Sequence, residues 1–258
     1  MSEAALLQAR GLTVRIADKY VCHDFDLTLQ PGTRLGLLGG NGVGKTTLLN
    51  TLAGLREPDN GEILLDGQSL RMLPRRRIAQ RLGLLIQQQE DSLPASVLET
   101  ALIGRHPHID FWRWESHVDV NIARRALRLV GLDGLEQRPQ TQLSGGERRR
   151  LAIATILTQD PRVFLLDEPA NQLDLHHQLA LLDHFATLVC DQSRALIMAL
   201  HDVNMAARFC NQILMLFGND EILYGNTTEI LTAENLSRLY HTPLTPVRWP
   251  GGTIYVPG

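Results

Sequence analysis

Lysine is scarce in this chain of 258 residues. Of its 25 lysines and arginines, only Lys19 and Lys45 are lysines. Aspartate and glutamate together number 28, and the formal net charge is −3. Nucleic-acid binding proteins ordinarily carry a basic excess. The composition therefore argues against a nucleic-acid partner, and we expect none.

Cysteine and long apolar runs are also limited. The cysteines, Cys22, Cys190 and Cys210, are scattered and form no C-x-x-C pattern. This argues against a disulfide framework and favours a reducing compartment. No apolar run approaches the roughly 18 residues of a membrane span, and the start of the chain lacks the pattern of a signal peptide. We therefore expect a cytosolic or peripheral protein.

Lys45 lies in the run Gly-Gly-Asn-Gly-Val-Gly-Lys-Thr, residues 39–46. This run matches the G-x-x-x-x-G-K-[ST] phosphate loop, in which glycines let successive N–H groups face one anion. The sequence predicts a strand over 34–38 and a helix over 46–55, whose N-terminus adds partial positive charge. A glycine turn that serves only packing would not explain the Lys-Thr pair. The predicted nucleotide-binding residues here are Gly39, Gly40, Asn41, Gly42, Val43, Gly44, Lys45, Thr46 and Thr47.

A second motif combines an apolar strand with two carboxylates. Val163–Leu166 predicts a buried strand that ends in Asp167 and Glu168. In a phosphate-loop protein, Lys45 reaches the β- and γ-phosphates and the Thr46 hydroxyl binds Mg²⁺. We expect Asp167 to approach that ion and Glu168 to face a water aligned with the γ-phosphate. The pair could also simply begin a turn, but the phosphate loop favours the catalytic interpretation.

A third motif begins a predicted helix that runs to about Gln159. Ser144 and Glu147 form a capping box, in which each side chain bonds the backbone of the other. Gly145 and Gly146 lower helix stability, and capping does not require them. They leave N–H groups and the positive end of the helix dipole open to an anion. This helix end is therefore predicted to be a second phosphate site.

The spacing of apolar residues predicts an α/β fold. Alternating stretches between Leu6 and Leu29 predict antiparallel strands. The continuous apolar runs 163–166 and 195–200 predict a mainly parallel sheet that is covered on both faces. The tail predicts a hairpin over 213–224 and a helix at Ala233–Tyr240.

Helical spacing dominates residues 93–143. We interpret this stretch as an inserted helical subdomain. The core then comprises residues 1–92 and 144–258. The clusters Arg75–Arg77 and Arg148–Arg150 are expected to lie on solvated faces or in partner contacts.

The three motifs, in this order, resemble those of ATP-binding cassette (ABC) ATPases, and the resemblance spans nearly the whole chain. It implies a P-loop NTPase core of mainly parallel sheet, with an N-terminal antiparallel β subdomain and an inserted α-helical subdomain. It also implies that Gln87 contacts Mg²⁺ and the membrane partner, although Gln88 and Gln89 leave this register open. Asp174 resembles the D-loop aspartate, and His201 resembles the switch histidine that faces the γ-phosphate.

The resemblance further implies a mechanism. Two copies pair head to tail, so that Lys45 and Thr46 of one and Ser144 and Gly146 of the other hold each ATP. Glu168 acts as general base or positions the water, while Lys45, Mg²⁺ and His201 stabilise charge on the phosphoryl group. The implied partners are a second copy, integral membrane permease subunits and, indirectly, a periplasmic or extracellular binding protein. The implied location is the cytoplasmic face of the cell membrane.

The substrate of the permease is less constrained. Leu102–His108 and Leu173–Gln178 resemble segments of bacterial importer ATPases for ferric siderophores, haem and cobalamin, which makes a metal-chelate importer the leading interpretation. Other cargo stays open, because the cargo does not touch this subunit. Ile16 stands where many relatives place an aromatic residue against adenine, so adenine stacking stays open as well. Trp112 and Trp114 are interpreted as permease contacts.

Soluble ABC ATPases are the alternative class. A DNA-repair type would carry a long coiled coil between its motifs, and a translation-factor type would carry two cassettes. The sequence has neither long heptads nor a second phosphate loop. A regulatory protein that does not hydrolyse ATP would be expected to lack Glu168 or His201, and both are present.

Overall fold

The computed structural model describes residues 4–86, 94–110, 112–191, 193–218, 220–249 and 252–258. The strands are β1 (Leu7–Ile16), β2 (Lys19–Leu29), β3 (Arg34–Gly39), β4 (Asn60–Leu65), β5 (Gln68–Ser69), β6 (Leu82–Leu85), β7 (Val163–Asp167), β8 (Ala195–Ala199), β9 (Gln212–Gly218), β10 (Glu221–Asn226), β11 (Leu244–Trp249) and β12 (Gly252–Pro257). The α-helices are α1 (Lys45–Leu52), α2 (Arg75–Arg81), α3 (Val97–Leu102), α4 (His117–Leu129), α5 (Gly145–Gln159), α6 (Leu175–Asp191), α7 (Val203–Phe209), α8 (Thr227–Ile230) and α9 (Ala233–Tyr240). Short 3₁₀ segments cover Leu70–Met72, Ile103–His108 and Gln140–Gln142.

An antiparallel sheet with strand order β2-β1-β4-β5 forms the N-terminal part. Strands β1 and β2 pair from Leu7 opposite Leu29 to Ile16 opposite Lys19, which confirms the predicted antiparallel strands. Apolar side chains of this sheet share one buried cluster with Leu48 and Leu49 of α1. The antiparallel sheet therefore supports the helix that follows the phosphate loop.

The larger sheet has the strand order β10-β9-β3-β8-β7-β6. Neighbours from β9 to β6 run parallel, and only the edge strand β10 is antiparallel. Every residue of β7 and of β8 is buried, as the unbroken apolar runs predicted. Because parallel strands end at the same edge, β3, β7 and β8 deliver the phosphate loop, the acidic pair and His201 to one place.

The predicted helical stretch contains α3 and α4, which pack against α5 in a buried cluster that includes Ala101, Ala126 and Leu151. The 3₁₀ segment after α3 approaches α5 so closely that a Cβ on Gly104 would lie 2.3 Å from the Thr155 carbonyl oxygen. Only glycine fits at such a backbone contact. The division of the chain into two subdomains stays a prediction.

The C-terminal part contains the predicted hairpin, β9–β10, and the predicted helix α9. The sequence analysis did not predict the second hairpin, β11–β12. Asn204 of α7 anchors that hairpin, because its amide accepts from the Tyr255 N–H at 2.7 Å and donates to the Tyr255 carbonyl at 3.2 Å. Among the described residues, no helix combines the length and apolarity needed to cross a bilayer.

Candidate nucleotide site

The phosphate loop connects the end of β3 to the start of α1. Gly42 and Gly44 have φ values of 74° and 109°, which favour glycine. A Cβ on Gly44 would lie 2.5 Å from the Val21 side chain, and one on Gly39 would lie 2.8 Å from the Leu216 carbonyl oxygen. Cβ atoms on Gly40 and Gly42 would meet no atom within 4 Å. Packing therefore fixes the two ends of the loop and leaves its middle open, as a cradle for an anion requires.

Lys45 is buried at the start of α1, with 7% of its surface exposed. Its ammonium donates to the carbonyl oxygens of Gly39 at 2.8 Å and Gly40 at 3.0 Å. Burial lowers the pKa of Lys45, and the nearby charges of Glu168 and Asp167 oppose that shift. The only strongly buried lysine of the described chain thus lies inside the loop that the motif predicted.

Thr46 and Asp167 meet although they are 121 residues apart. The Thr46 hydroxyl donates to Asp167 Oδ2 at 2.6 Å. Burial raises the pKa of Asp167, the bond from Thr46 opposes this, and the neighbouring Glu168 charge adds to it. A hydroxyl oxygen and a carboxylate oxygen beside a phosphate cradle are ligands that Mg²⁺ prefers, so the residues present fit this ion.

Glu168 makes contacts that differ from those of Asp167. Its backbone lies in the left-handed region at φ 51°, and its N–H donates to the Ala199 carbonyl of β8 at 3.2 Å. One carboxylate oxygen contacts His201 Nε2, and the other accepts from the Asn171 amide. The two adjacent carboxylates therefore have different neighbours, while their expected roles toward Mg²⁺ and the attacking water stay predictions.

Arg149 also belongs to this site, and the sequence analysis missed it. The expectation that Arg148–Arg150 lie on solvated faces or in partner contacts is wrong for Arg149, which is 4% exposed. Its guanidinium donates to the carbonyls of Asp167 at 2.6 Å, Glu168 at 2.7 Å and Ile86 at 3.1 Å. The signal was present, because Arg149 is four and seven residues before the buried Ile153 and Ile156 and shares their helix face.

The Ser144 end of α5 forms the predicted capping box. Glu147 Oε2 accepts from the Ser144 N–H at 2.7 Å, and Ser144 Oγ accepts from the Glu147 N–H at 3.3 Å. Hydrogen bonds from the backbone and the side chain of Ser144 to the carboxylate lower the pKa of Glu147. Gly145 and Gly146 face Gln172, whose backbone carbonyl would lie 3.2 Å from a Cβ on Gly146.

Asp174 caps α6. Its carboxylate accepts from the His177 N–H at 2.9 Å and contacts the His177 ring nitrogen at 2.8 Å, and these bonds lower the pKa of Asp174. Within the part of the chain that the structure describes, no hydrogen bond or ion pair joins Ser144–Gly146 or Asp174 to the phosphate loop. One chain therefore brings together the predicted catalytic residues but not the second predicted phosphate site.

Comparison with known proteins shows the family to which this chain belongs. The profile of the ABC transporter family matches residues 22–171. The hemin import ATP-binding protein HmuV of Bordetella avium is 36% identical over 97% of this chain and 98% of its own length. The chain belongs to the ABC transporter family. The ferric enterobactin transport ATP-binding protein FepC of Escherichia coli is 33% identical over 92% of this chain and 87% of its own length.

A solved structure agrees with these sequence relatives. It shows an inward-facing conformation of a transporter assigned to the metal-chelate type, and one of its chains superposes with a TM-score of 0.84 at 29% identity, covering 98% of both chains. This confirms the predicted P-loop fold. The chain is an ABC ATPase that binds and hydrolyses ATP.

Two expected contacts of this ABC ATPase involve Gln87 and Ile16. Gln87, with Gln88 and Gln89, lies outside the described residues. Ile16 is 42% exposed and offers no aromatic surface for adenine. The nearby Tyr20 ring has the Arg15 guanidinium carbon 4.9 Å from its centroid, so the aromatic face beside Ile16 already contacts a cation.

Proposed function

We propose that this chain is the ATP-hydrolysing subunit of a bacterial importer for a metal chelate, with haem and ferric siderophores as the leading cargo and cobalamin as a further candidate. The observation that carries the catalytic part is the junction of Thr46, Asp167, Glu168 and His201 at the carboxyl edge of the parallel sheet. The cargo class rests on the relatives named for hemin and ferric enterobactin transport.

ATP binds with its phosphates on the loop N–H groups of residues 39–44. Lys45, Thr46 and Thr47 complete the contacts of this cradle. Thr46, Asp167 and Gln87 would hold Mg²⁺, which would supply positive charge to the phosphate oxygens. Lys45, buried and close to two carboxylates, adds a fixed positive charge where negative charge develops during transfer.

Glu168 accepts a proton from the attacking water or orients that water for in-line attack. Asn171 and His201 hold the two oxygens of its carboxylate, so the orientation of the base is set before ATP arrives. His201 is 41% exposed at its side chain and can turn to donate toward the γ-phosphate. These assignments separate positioning, by Asn171 and His201, from proton transfer by Glu168.

A second copy of the chain completes the site. Ser144, Gly145 and Gly146 of the partner copy bring free N–H groups to the γ-phosphate, and Asp174 lies at the same interface. ATP thus stabilises the dimer because it binds both copies at once, and hydrolysis removes that stabilisation. Opening and closing of this dimer drives permease subunits at the cytoplasmic face of the membrane, and a periplasmic or extracellular binding protein delivers the cargo.

The decisive experiment isolates this chain from its native membrane and identifies the polytopic protein that copurifies with it. The complex is then reconstituted in proteoliposomes, and uptake of haem, a ferric siderophore and cobalamin is measured with ATP inside or outside the vesicles. We expect ATP-dependent uptake of a metal chelate. ATP hydrolysis by a chain that copurifies with no membrane protein would instead favour a soluble ABC ATPase.

A further inference from the structure

Arg149 is a cation in the core whose hydrogen bonds go to the main chain. It lies in the first turns of α5, the helix whose N-terminus carries Ser144, Gly145 and Gly146. Its side chain crosses to the ends of two strands of the parallel sheet. It reaches the carbonyls of Asp167, the last residue of β7, and Glu168, the next residue, and the carbonyl of Ile86 just after β6.

These contacts stabilise the Glu168 peptide in a backbone conformation that is energetically unfavourable. Glu168 is a non-glycine residue at φ 51°, and such a conformation persists only when surrounding contacts enforce it. Its N–H is held by Ala199 at 3.2 Å, and its carbonyl is held by Arg149 at 2.7 Å. A planar guanidinium donates to several acceptors in a fixed geometry, which an ammonium cannot reproduce.

We propose that Arg149 is a positioning residue for hydrolysis, which holds the Glu168 peptide and the strand end at Ile86 in fixed register with the helix that carries Ser144. This proposal rests on the proposed role of Glu168. Since the backbone of Arg149 lies about one helical turn from Gly145, contact of Ser144 with the partner's ATP acts on the same rigid helix. Arg149 therefore links the ATP held by the partner copy to the acidic turn of its own copy, which consists of Asp167 and Glu168.

The first test compares Arg149→Lys with Arg77→Lys. Arg77 is exposed on α2 and serves as the matched control. We expect Arg149→Lys to lower kcat on the order of 10- to 100-fold, as misplacement of a reacting group does. The Kd for a non-hydrolysable ATP analogue should stay within about twofold, because Arg149 makes no described hydrogen bond to the phosphate loop. Arg77→Lys should change neither quantity.

Chemical rescue distinguishes positioning from support of the fold. In Arg149→Ala, added methylguanidinium should restore part of kcat, whereas methylammonium at the same concentration should not, because only the former presents a planar set of donors. If the Arg149→Ala variant does not fold, the test is whether Arg149→Lys lowers kcat while the Kd for the ATP analogue stays the same. A proportional loss of kcat, analogue binding and Tm in Arg149→Lys would overturn the proposal.

Two negative results have different meanings. If wild-type protein hydrolyses ATP and Arg149→Lys matches its kcat, the positioning role of Arg149 is wrong and the proposed function stands. If the wild-type chain hydrolyses no ATP, alone or with its permease, the proposed function is wrong and the role of Arg149 falls with it.

Discussion

At the scale of single residues, the choice of lysine at position 45 has a steric reason. The side chain is enclosed by its own loop, and its ammonium already bonds two loop carbonyls at 2.8 and 3.0 Å. A guanidinium carries the same charge but is wider and planar, so it cannot occupy that space and also pass between phosphate oxygens.

We therefore expect Lys45→Arg to weaken ATP binding by more than about tenfold, which corresponds to about 1.4 kcal/mol. The chain supplies its own control, because its other lysine, Lys19, is exposed on β2. Lys19→Arg should leave the affinity within about twofold. Titration calorimetry with a non-hydrolysable ATP analogue measures the affinities of both variants. Equal affinity of Lys45→Arg and wild type would show that charge alone, and not shape, is required at this position.

At the scale of elements, α5 has two functions that can be separated. Its capping box stabilises the helix, and its first N–H groups are proposed to bind the γ-phosphate of the partner's ATP. Helix α3 offers a comparison, because Ser96 and Glu99 form the same capping box there without the two glycines that follow Ser144 in α5. Loss of the serine cap at either helix lowers the free energy of unfolding by about 1 kcal/mol.

We expect Ser144→Ala and Ser96→Ala to lower the free energy of unfolding by similar amounts, about 1 kcal/mol each. Only Ser144→Ala should also lower kcat for ATP, by more than about tenfold, because Ser96 is not part of the proposed site. Urea unfolding and steady-state hydrolysis measure the two effects. A Ser144→Ala variant that loses stability but keeps its kcat would restrict Ser144 to capping.

At the scale of the whole molecule, we propose that the site is divided between two copies. One chain joins the phosphate loop to the acidic turn through the bond from Thr46 to Asp167, while the described bonds at the Ser144 end of α5, within its capping box and between Glu147 and Arg138, do not reach the phosphate loop. A head-to-tail dimer is the arrangement that brings both ends to one nucleotide.

Glu168→Gln should therefore bind ATP and form a stable dimer, and its kcat should fall on the order of 10²- to 10⁴-fold, as for loss of a general base. Removing ATP, or chelating Mg²⁺ with EDTA, should return the protein to monomers. Light scattering after gel filtration measures the mass in each condition. A protein that stays monomeric with saturating ATP and Mg²⁺ would contradict the shared site.

The sequence by itself determined the features that depend on a few neighbouring residues. The phosphate loop, the capping box at Ser144, the helix end at Gln159 and the buried strand before Asp167 all follow from local hydrogen bonding and apolar periodicity. Such interactions span about four residues, so a short stretch of sequence contains all that they need.

Only the tertiary structure decided the contacts that join distant stretches. It placed Asp167 against Thr46 across 121 residues, turned Glu168 toward His201 and buried Arg149 on the acidic turn. It also attached the unpredicted hairpin β11–β12 to α7. These pairings depend on the order of strands in the parallel sheet and on the packing of α5 against it, and no local pattern encodes either.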